Sequence, residues 1–396
     1  MKVLIVSPML PSSSIPMRGL RSNEQFRIYQ DLGHDVRAIV PVAWAPPISA
    51  MSSRRLRRAI PRLEDDYGTE ISHPRFFSLG RLARPRLLHR MQRELYWLAL
   101  RRQIKEFVAS SGEIVHVHSC GLPGVLTTRV APAKLVISMH DNELYDVAPA
   151  HPAARRVIRR SLQEADAVVY VSTKLYEVGI QLAGPHAGHV IPIGIDEYPD
   201  IVPSLDDNFC IVTVSRLISR KNIDLLIQAF GLFRVSAPDA RLIIVGDGPE
   251  RQRLESLAQA LGVAESVEFT GSVPHHQVSK FLARTHLFVL PSVREALGAV
   301  YFEAMAMRVP VVGVRGEGIA EYVTNGNDGF LVHPNDIDSI VTIMRAMYEQ
   351  PGRRREIGEQ GFALFERSGV RWHDYVLAHV ELFKHLVSNK GDGTAR

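Results

Sequence analysis

Twelve short apolar runs of four to seven residues, each closed by a turn residue, punctuate the chain, with helical segments between them. The first six are Lys2 to Ser7, Asp35 to Pro41, Ile114 to His118, Leu135 to Met139, Ala167 to Val171 and Gly188 to Ile191. The second six are Phe209 to Val214, Arg241 to Val245, Ser266 to Phe269, Leu287 to Leu290, Pro310 to Val314 and Gly329 to Val332. Buried strands alternating with helices are the pattern of a parallel sheet covered on both faces. Between the two series, IPIGIDEYPDIVPSLDDNF loses periodicity and gathers Pro192, Pro199 and Pro203, as a linker does. The sequence therefore predicts two doubly wound α/β domains, residues 1–195 and 206–370, joined near 194–206. Residues 371–396 contain RWHDYVLAHVELFKHLV, an amphipathic helix expected to pack back toward the N-terminal domain. A length of 396 residues agrees, because single cores stop growing at about 250–300.

Hydrophobic residues at 46% and charged residues at 22% exclude disordered and fibrous classes. MKVLIVSPML reads as a first buried strand rather than a signal peptide, and no apolar run approaches the roughly 18 residues of a membrane span. Cys120 and Cys210 are too few for a disulfide framework, which predicts a reducing, cytoplasmic setting. The net charge of +5 is uneven: residues 1–200 carry 26 Lys+Arg against 19 Asp+Glu, and residues 201–396 carry 21 against 23. Between Arg54 and Arg102, 13 arginines face 5 acids. Nucleic acid, an anionic membrane or a phosphorylated substrate would each suit such a patch, but no nucleic-acid-binding motif accompanies it. Within it, LLHRMQRELYWLALRRQI puts Leu88, Met91, Leu95 and Leu98 on one helical face. That face reads either as peripheral on a membrane or as packed on the sheet.

The most informative stretch is LFVLPSVREALGAVYFEAMAMRVPVVGVRGEGIAE, residues 287–321. A strand ends at Pro291, a loop carries Glu295 and Gly298, and a helix starting near Ala299 carries Glu303. The N–H groups of Gly298, Ala299 and Val300 would then face a phosphate at a helix N-terminus. Glu295 and Glu303 flank that point and suit the vicinal hydroxyls of sugar and ribose. Each glutamate also reads as an ordinary surface or helical acid. In VSRLISRKNIDLLIQAF, Arg216 and Lys221 bracket the turn into a helix capped by Asn222, at the carboxyl edge where doubly wound sheets bind ligands. Such cations neutralise a diphosphate leaving group, and equally occur as solvated loop charges. Gly246, Asp247 and Gly248 make a tight turn with Pro249 at a first helical position. Neither the dinucleotide G-x-G-x-x-G nor a P-loop occurs. Asp336 and Asp338 form a D-x-D that a helix cap explains, and His116 and His118 share a strand face without a third metal ligand.

The set Arg216…Lys221, GDGPE, FTGSVP, PSVREALGAVYFEAMA, PVVG and GEGIAE, in this order, resembles the retaining glycosyltransferases of family 4, which have the GT-B fold. A looser N-terminal match includes the Gly19 loop, GHDV, VHVHS, ISMHD and IPIGID. The resemblance implies a nucleotide-sugar donor, UDP-sugar in preference to GDP-sugar, bound by the C-terminal domain beside an interdomain cleft. The acceptor would be a saccharide or lipid-linked saccharide in envelope polysaccharide or glycolipid synthesis. Glu295 would contact the donor sugar, Glu303 the ribose, and Arg216 and Lys221 the diphosphate; His140 and Gly19 would lie beside sugar and acceptor. Gly298, Ala299, Val300, Gly246 and Val273 complete the donor set. The acceptor would attack from the leaving group's own face with a donor phosphate oxygen taking its proton, so neither protein nucleophile nor metal is expected. The chain departs from the pattern at Asp141, Ile193, Asn222 and Arg308, of which the last stands where a glycine ends the helix in a left-handed turn. A sugar-nucleotide epimerase and a weakly catalytic donor-binding subunit are the alternatives.

Overall fold

The computed structural model describes residues 1–7, 24–44, 63–66, 68–77, 86–118, 131–140, 143–195 and 208–388. They divide into two units, Met1–Gly194 with Trp372–Arg396, and Ile195–Arg371.

The first unit carries β1 (Lys2–Val6), β2 (Asp35–Ile39), β3 (Val42–Trp44), β4 (Leu63–Asp66), β5 (Thr69–Ser72), β6 (Arg75–Phe77), β7 (Ile114–His118), β8 (Lys134–Met139), β9 (Ala167–Tyr170) and β10 (Gly188–Val190). Eight of them form a sheet in the order β10-β9-β8-β7-β1-β2-β5-β4, while β3 and β6 pair separately. Only the β4–β5 pairing is antiparallel, and it sits at an edge. The chain moves from β1 through β2 to β5 and then returns to the other side of β1 with β7. Strand order thus reverses between β1 and β7, as it does in doubly wound sheets.

Strands β4 to β6 lie in the stretch read from sequence as a basic patch. Segments such as LEDD and TEIS have no apolar run; β4 is the edge strand, while β5 lies inside it and buries Thr69, Ile71 and Ser72. The longer helices of this unit before residue 195 are α1 (Glu24–Asp31), α2 (Arg86–Ala109), α3 (Pro152–Glu164) and α4 (Thr173–Ala183). On α2 the buried stripe is Tyr96, Leu100, Ile104 and Phe107, and the Tyr96 ring meets Phe76 edge-on with centroids 5.2 Å apart. Leu98 is 50% exposed and Leu95 half-buried; the side chains of Leu88 and Met91 lie outside those described. The described part of the helix therefore packs through a face rotated from the expected one. Among the described residues no helix is long and apolar enough to cross a membrane.

The second unit carries β11 (Cys210–Val214), β12 (Arg241–Val245), β13 (Val267–Gly271), β14 (Leu287–Val289), β15 (Val311–Val314) and β16 (Phe330–Val332). They form one parallel sheet in the order β13-β12-β11-β14-β15-β16. The reversal falls between β11 and β14, whose residues pair directly as Ile211 with Leu287 and Val212 with Phe288. Its helices are α5 (Ile223–Arg234), α6 (Arg251–Ala260), α7 (His275–Leu282), α8 (Ala299–Ala306), α9 (Ile337–Glu349) and α10 (Pro351–Arg367). Asp336 caps α9, accepting from the Ser339 backbone at 3.0 Å and its hydroxyl at 2.6 Å, which accounts for the D-x-D.

The last helix, α11 (Trp372–Ser388), belongs to the first unit. It buries Tyr375, Val376, His379, Val380 and Phe383, with the His379 ring 5.0 Å from that of His116 on β7. Gly194 lies against Trp372, so that a Cβ there would come within 2.3 Å of the indole.

Candidate functional site

In the second unit the reversal of strand order brings together two loops, Ser215–Asn222 after β11 and Leu290–Gly298 after β14. Their meeting point is an ion pair: the Lys221 ammonium donates to Glu295 Oε2, with the two side chains only 12% and 8% exposed. Ser292 Oγ donates to the same oxygen at 2.7 Å. Burial raises the Glu295 pKa, but Lys221, Ser292 and the neighbouring Arg220 charge outweigh it and hold the carboxyl below its ordinary value. It is therefore a carboxylate at neutral pH. Arg220 is itself buried, its Nη1 donating to the Arg294 carbonyl at 2.9 Å, while its own carbonyl accepts from Val293 N at 2.9 Å. The two loops are thus knitted by backbone as well as charge.

A third loop grips Glu295 from the other side. The Glu295 N–H donates to the Glu317 carboxylate at 2.8 Å, and the Gly318 N–H donates to the Glu295 carbonyl at 3.1 Å. Gly318 is required by this approach, since a Cβ would sit 1.8 Å from the Ala296 oxygen. The GDG turn closes the opposite flank in the same way: a Cβ on Gly246 would fall 1.9 Å from the Ser215 oxygen, and Leu217 N donates to Asp247 O at 3.0 Å.

Of the residues singled out from sequence, Glu295 and Lys221 are in direct contact. Arg216 lies on the Lys221 loop with its side chain exposed. Gly298 caps α8 at φ 78°, and Ala299 and Val300 open the first turn, whose N–H groups lack intrahelical acceptors. Glu303 is buried one turn further on, its Oε1 3.6 Å from His275 Nε2 on α7. Gly246 hydrogen-bonds to Gly271 at 3.0 Å. Val273 follows on that strand's loop, packing on Cys210, Val212, Ile243 and Val245. His140 belongs to the first unit, where its Nε2 lies 3.3 Å from His118 Nδ1 and the two rings stack at 4°. Gly19, Cys120 and Asp141 lie outside the described residues. No group of three His, Cys, Asp or Glu side chains among the described residues is arranged to hold a metal.

Two local expectations are corrected, and a third holds. Asn222 does not cap α5 through its side chain; it adopts φ 51° and its Nδ2 donates to the Pro291 carbonyl at 3.0 Å, tying the two loops together. Helix α6 starts at Arg251, after Pro249, because the residues between complete the GDG turn. Arg308 does adopt the left-handed turn, at φ 58°, and is held there by Glu359 at 2.6 Å and by the Phe362 ring 3.9 Å beneath its guanidinium. Sequence reasoning missed Arg220, Ser292 and Glu317. Arg220 and Ser292 stood within a few residues of Lys221 and Glu295, and Glu317 inside GEGIAE, which was read only as part of the family pattern.

Comparison with known proteins fits this geometry. Residues 27–197 match the family model Glycosyltransferase Family 4, and residues 194–363 match Glycosyl transferases group 1. A GDP-mannose-dependent alpha-(1-6)-phosphatidylinositol monomannoside mannosyltransferase of Mycolicibacterium smegmatis is 34% identical over 61% of this chain and 67% of its own. The N-acetyl-alpha-D-glucosaminyl L-malate synthase of Bacillus anthracis is 27% identical over 67% of this chain and 73% of its own. Among solved structures, sucrose-phosphate synthase from Thermosynechococcus elongatus matches with a TM-score of 0.76 at 18% identity, over 98% of this chain and 100% of that one. Anabaena HepE in complex with UDP and glucose matches at 0.70 and 19%, over 97% and 100%. The chain belongs to glycosyltransferase family 4 and has the GT-B fold of two doubly wound α/β domains.

Proposed function

We propose that the protein moves a sugar from a nucleoside-diphosphate sugar to an acceptor hydroxyl, with retention of anomeric configuration, in glycolipid or envelope polysaccharide synthesis. The observation that carries this reading is the Lys221–Glu295 pair at the strand-order reversal of the second unit. A cation beside a carboxylate at that edge offers charge to a diphosphate and hydrogen-bond acceptors to sugar hydroxyls. Lys221 and Arg216 bind the diphosphate and stabilise charge as the sugar leaves. The first-turn N–H groups of α8 add a helix dipole aimed at phosphate. Glu295 orients the sugar, and Glu303 with His275 receives the ribose. The acceptor oxygen bonds to the anomeric carbon as the bond to the diphosphate breaks, and its proton passes to a donor phosphate oxygen. No protein nucleophile and no metal is assigned a step. Acceptor recognition is assigned to the first unit, near His118 and His140, and a peripheral cytoplasmic setting suits a lipid-linked acceptor.

The name of the mycobacterial relative points to GDP-mannose and a phosphatidylinositol mannoside acceptor, and the HepE complex to UDP. Incubating the protein with UDP- and GDP-sugars and with phosphatidylinositol mannoside or undecaprenyl-linked saccharide acceptors tests the reading by NMR of the product. The same anomeric configuration as the donor is expected. An inverted product overturns retention, and an isomerised nucleotide sugar without acceptor turns the assignment to an epimerase.

A further inference from the structure

Glu317 is a buried acid, 8% exposed, for which the proposed chemistry has no direct use. It lies on the loop after β15, one strand beyond the loop that carries Glu295. Its Oε2 accepts the Glu295 backbone N–H at 2.8 Å, and the adjoining Gly318 N–H donates to the Glu295 carbonyl at 3.1 Å. Both polar groups of one residue's backbone are therefore held by two consecutive residues of a neighbouring loop. The grip falls where the loop is most contorted, between Arg294 at φ 53° and Gly298 at φ 78°. A non-glycine residue in the left-handed region is strained, so without the clamp the loop would relax and carry the carboxylate with it. Tyr301, the third residue of α8, has its phenol pKa raised by burial and by the charges of Glu295 and Glu317. Its hydroxyl donates to the Leu290 carbonyl at the start of the same loop.

We infer that Glu317 is a positioning residue for donor-sugar recognition: by accepting the Glu295 N–H it fixes where the Glu295 carboxylate points. The inference rests on the reading of Glu295 as a sugar contact. Glu317 acts as a hydrogen-bond acceptor and touches no substrate, so its effect is confined to the sugar and spares the nucleotide. Displacing a contact group by about 1 Å costs up to about 100-fold in a well-oriented site.

The test uses Glu317→Ala, Glu317→Gln and Glu295→Ala in the full chain, with two readouts. Hydrogen exchange of the peptide containing Glu295 needs no ligand. It is expected to accelerate at least tenfold in Glu317→Ala and to return to the wild-type rate in Glu317→Gln, which keeps an acceptor oxygen. Calorimetric titration with UDP, GDP, UDP-glucose and GDP-mannose then gives the affinity added by the sugar over its nucleotide. That increment is expected to fall about tenfold or more in Glu317→Ala, as in Glu295→Ala, and to recover in Glu317→Gln, with nucleotide affinity within threefold throughout. Unchanged exchange in Glu317→Ala overturns the clamp. An equal loss of nucleotide and sugar affinity, or a Glu317→Gln variant as damaged as Glu317→Ala, overturns the positioning role. A silent Glu295→Ala overturns the sugar contact itself, and the inference falls with it; a damaged Glu295→Ala beside a silent Glu317→Ala overturns the inference alone.

Discussion

Arg308 occupies a left-handed turn that costs a side chain roughly 1 kcal/mol, and Glu359 and Phe362 offset that cost. An exposed ion pair is worth about 0–1 kcal/mol and an exposed cation–π contact about 0.5–1 kcal/mol, so gain and cost nearly cancel. Arg308→Gly, which removes both, is expected to melt within a few degrees of wild type. Arg308→Ala, which keeps the strain and loses the contacts, is expected to lose about 1–2 kcal/mol, and thermal denaturation of the two variants distinguishes them. A second outcome concerns protons. Glu295 is held below its ordinary pKa in the folded state, so its ionised form contributes stability that is complete above the unfolded value near 4.5. The contribution fades as pH falls through the lower folded value. The stability gap between wild type and Glu295→Gln in chemical denaturation is therefore expected to be constant from pH 7 to 5 and to close below pH 4.5; a gap that widens in acid contradicts it. At this scale the sequence marked Glu295, Lys221, Glu303 and Arg308 because residue type and spacing carry that information. It hid Glu317, whose role depends on a backbone amide 22 positions away.

Among the elements, the twelve strands predicted from apolar runs are all present; most are buried on both faces and so apolar throughout, while β10 is an edge strand with His189 and Val190 exposed. Strands β3 to β6, of three or four residues each, were too short to stand out as apolar runs, and the described part of α2 packs through Tyr96, Leu100, Ile104 and Phe107 rather than through Leu98. The loops at the carboxyl edge of the second sheet were legible in part through their glycines, and Gly246, Gly248 and Gly318 are fixed there by backbone approach rather than by φ alone. Gly318→Ala places a Cβ 1.8 Å from the Ala296 oxygen and must push the Glu295 loop aside. It is expected to lower transfer more than tenfold while far-ultraviolet dichroism stays native. Lys221→Ala leaves the Glu295 carboxylate buried without its cation and is expected to destabilise by about 3 kcal/mol in denaturant titration. The Lys221→Ala, Glu295→Ala double variant is expected to recover part of that loss, since no charge remains uncompensated.

At the scale of the molecule, both units wind outward from a central strand, reverse, and wind outward again, and the family match covers both halves. The reversal point explains why residues as distant in sequence as Lys221 and Glu295 meet: strands β11 and β14 are neighbours, and the chain between their loops first builds β12 and β13 on one side of β11 and then crosses to the other. Periodicity alone gave two series of strands, but not their spatial order, which depends on pairings no single segment encodes. The central claim is that this point in the second unit binds the diphosphate of a nucleotide sugar through Lys221. A ligand that binds only the folded state raises its melting temperature, so thermal denaturation of wild type and Lys221→Met with UDP, GDP and ADP is the direct measurement. The expected result is a rise of several degrees with one nucleotide in wild type, absent in the variant measured against its own ligand-free melting point. A rise with none of the three, or an equal rise in Lys221→Met, contradicts the assignment.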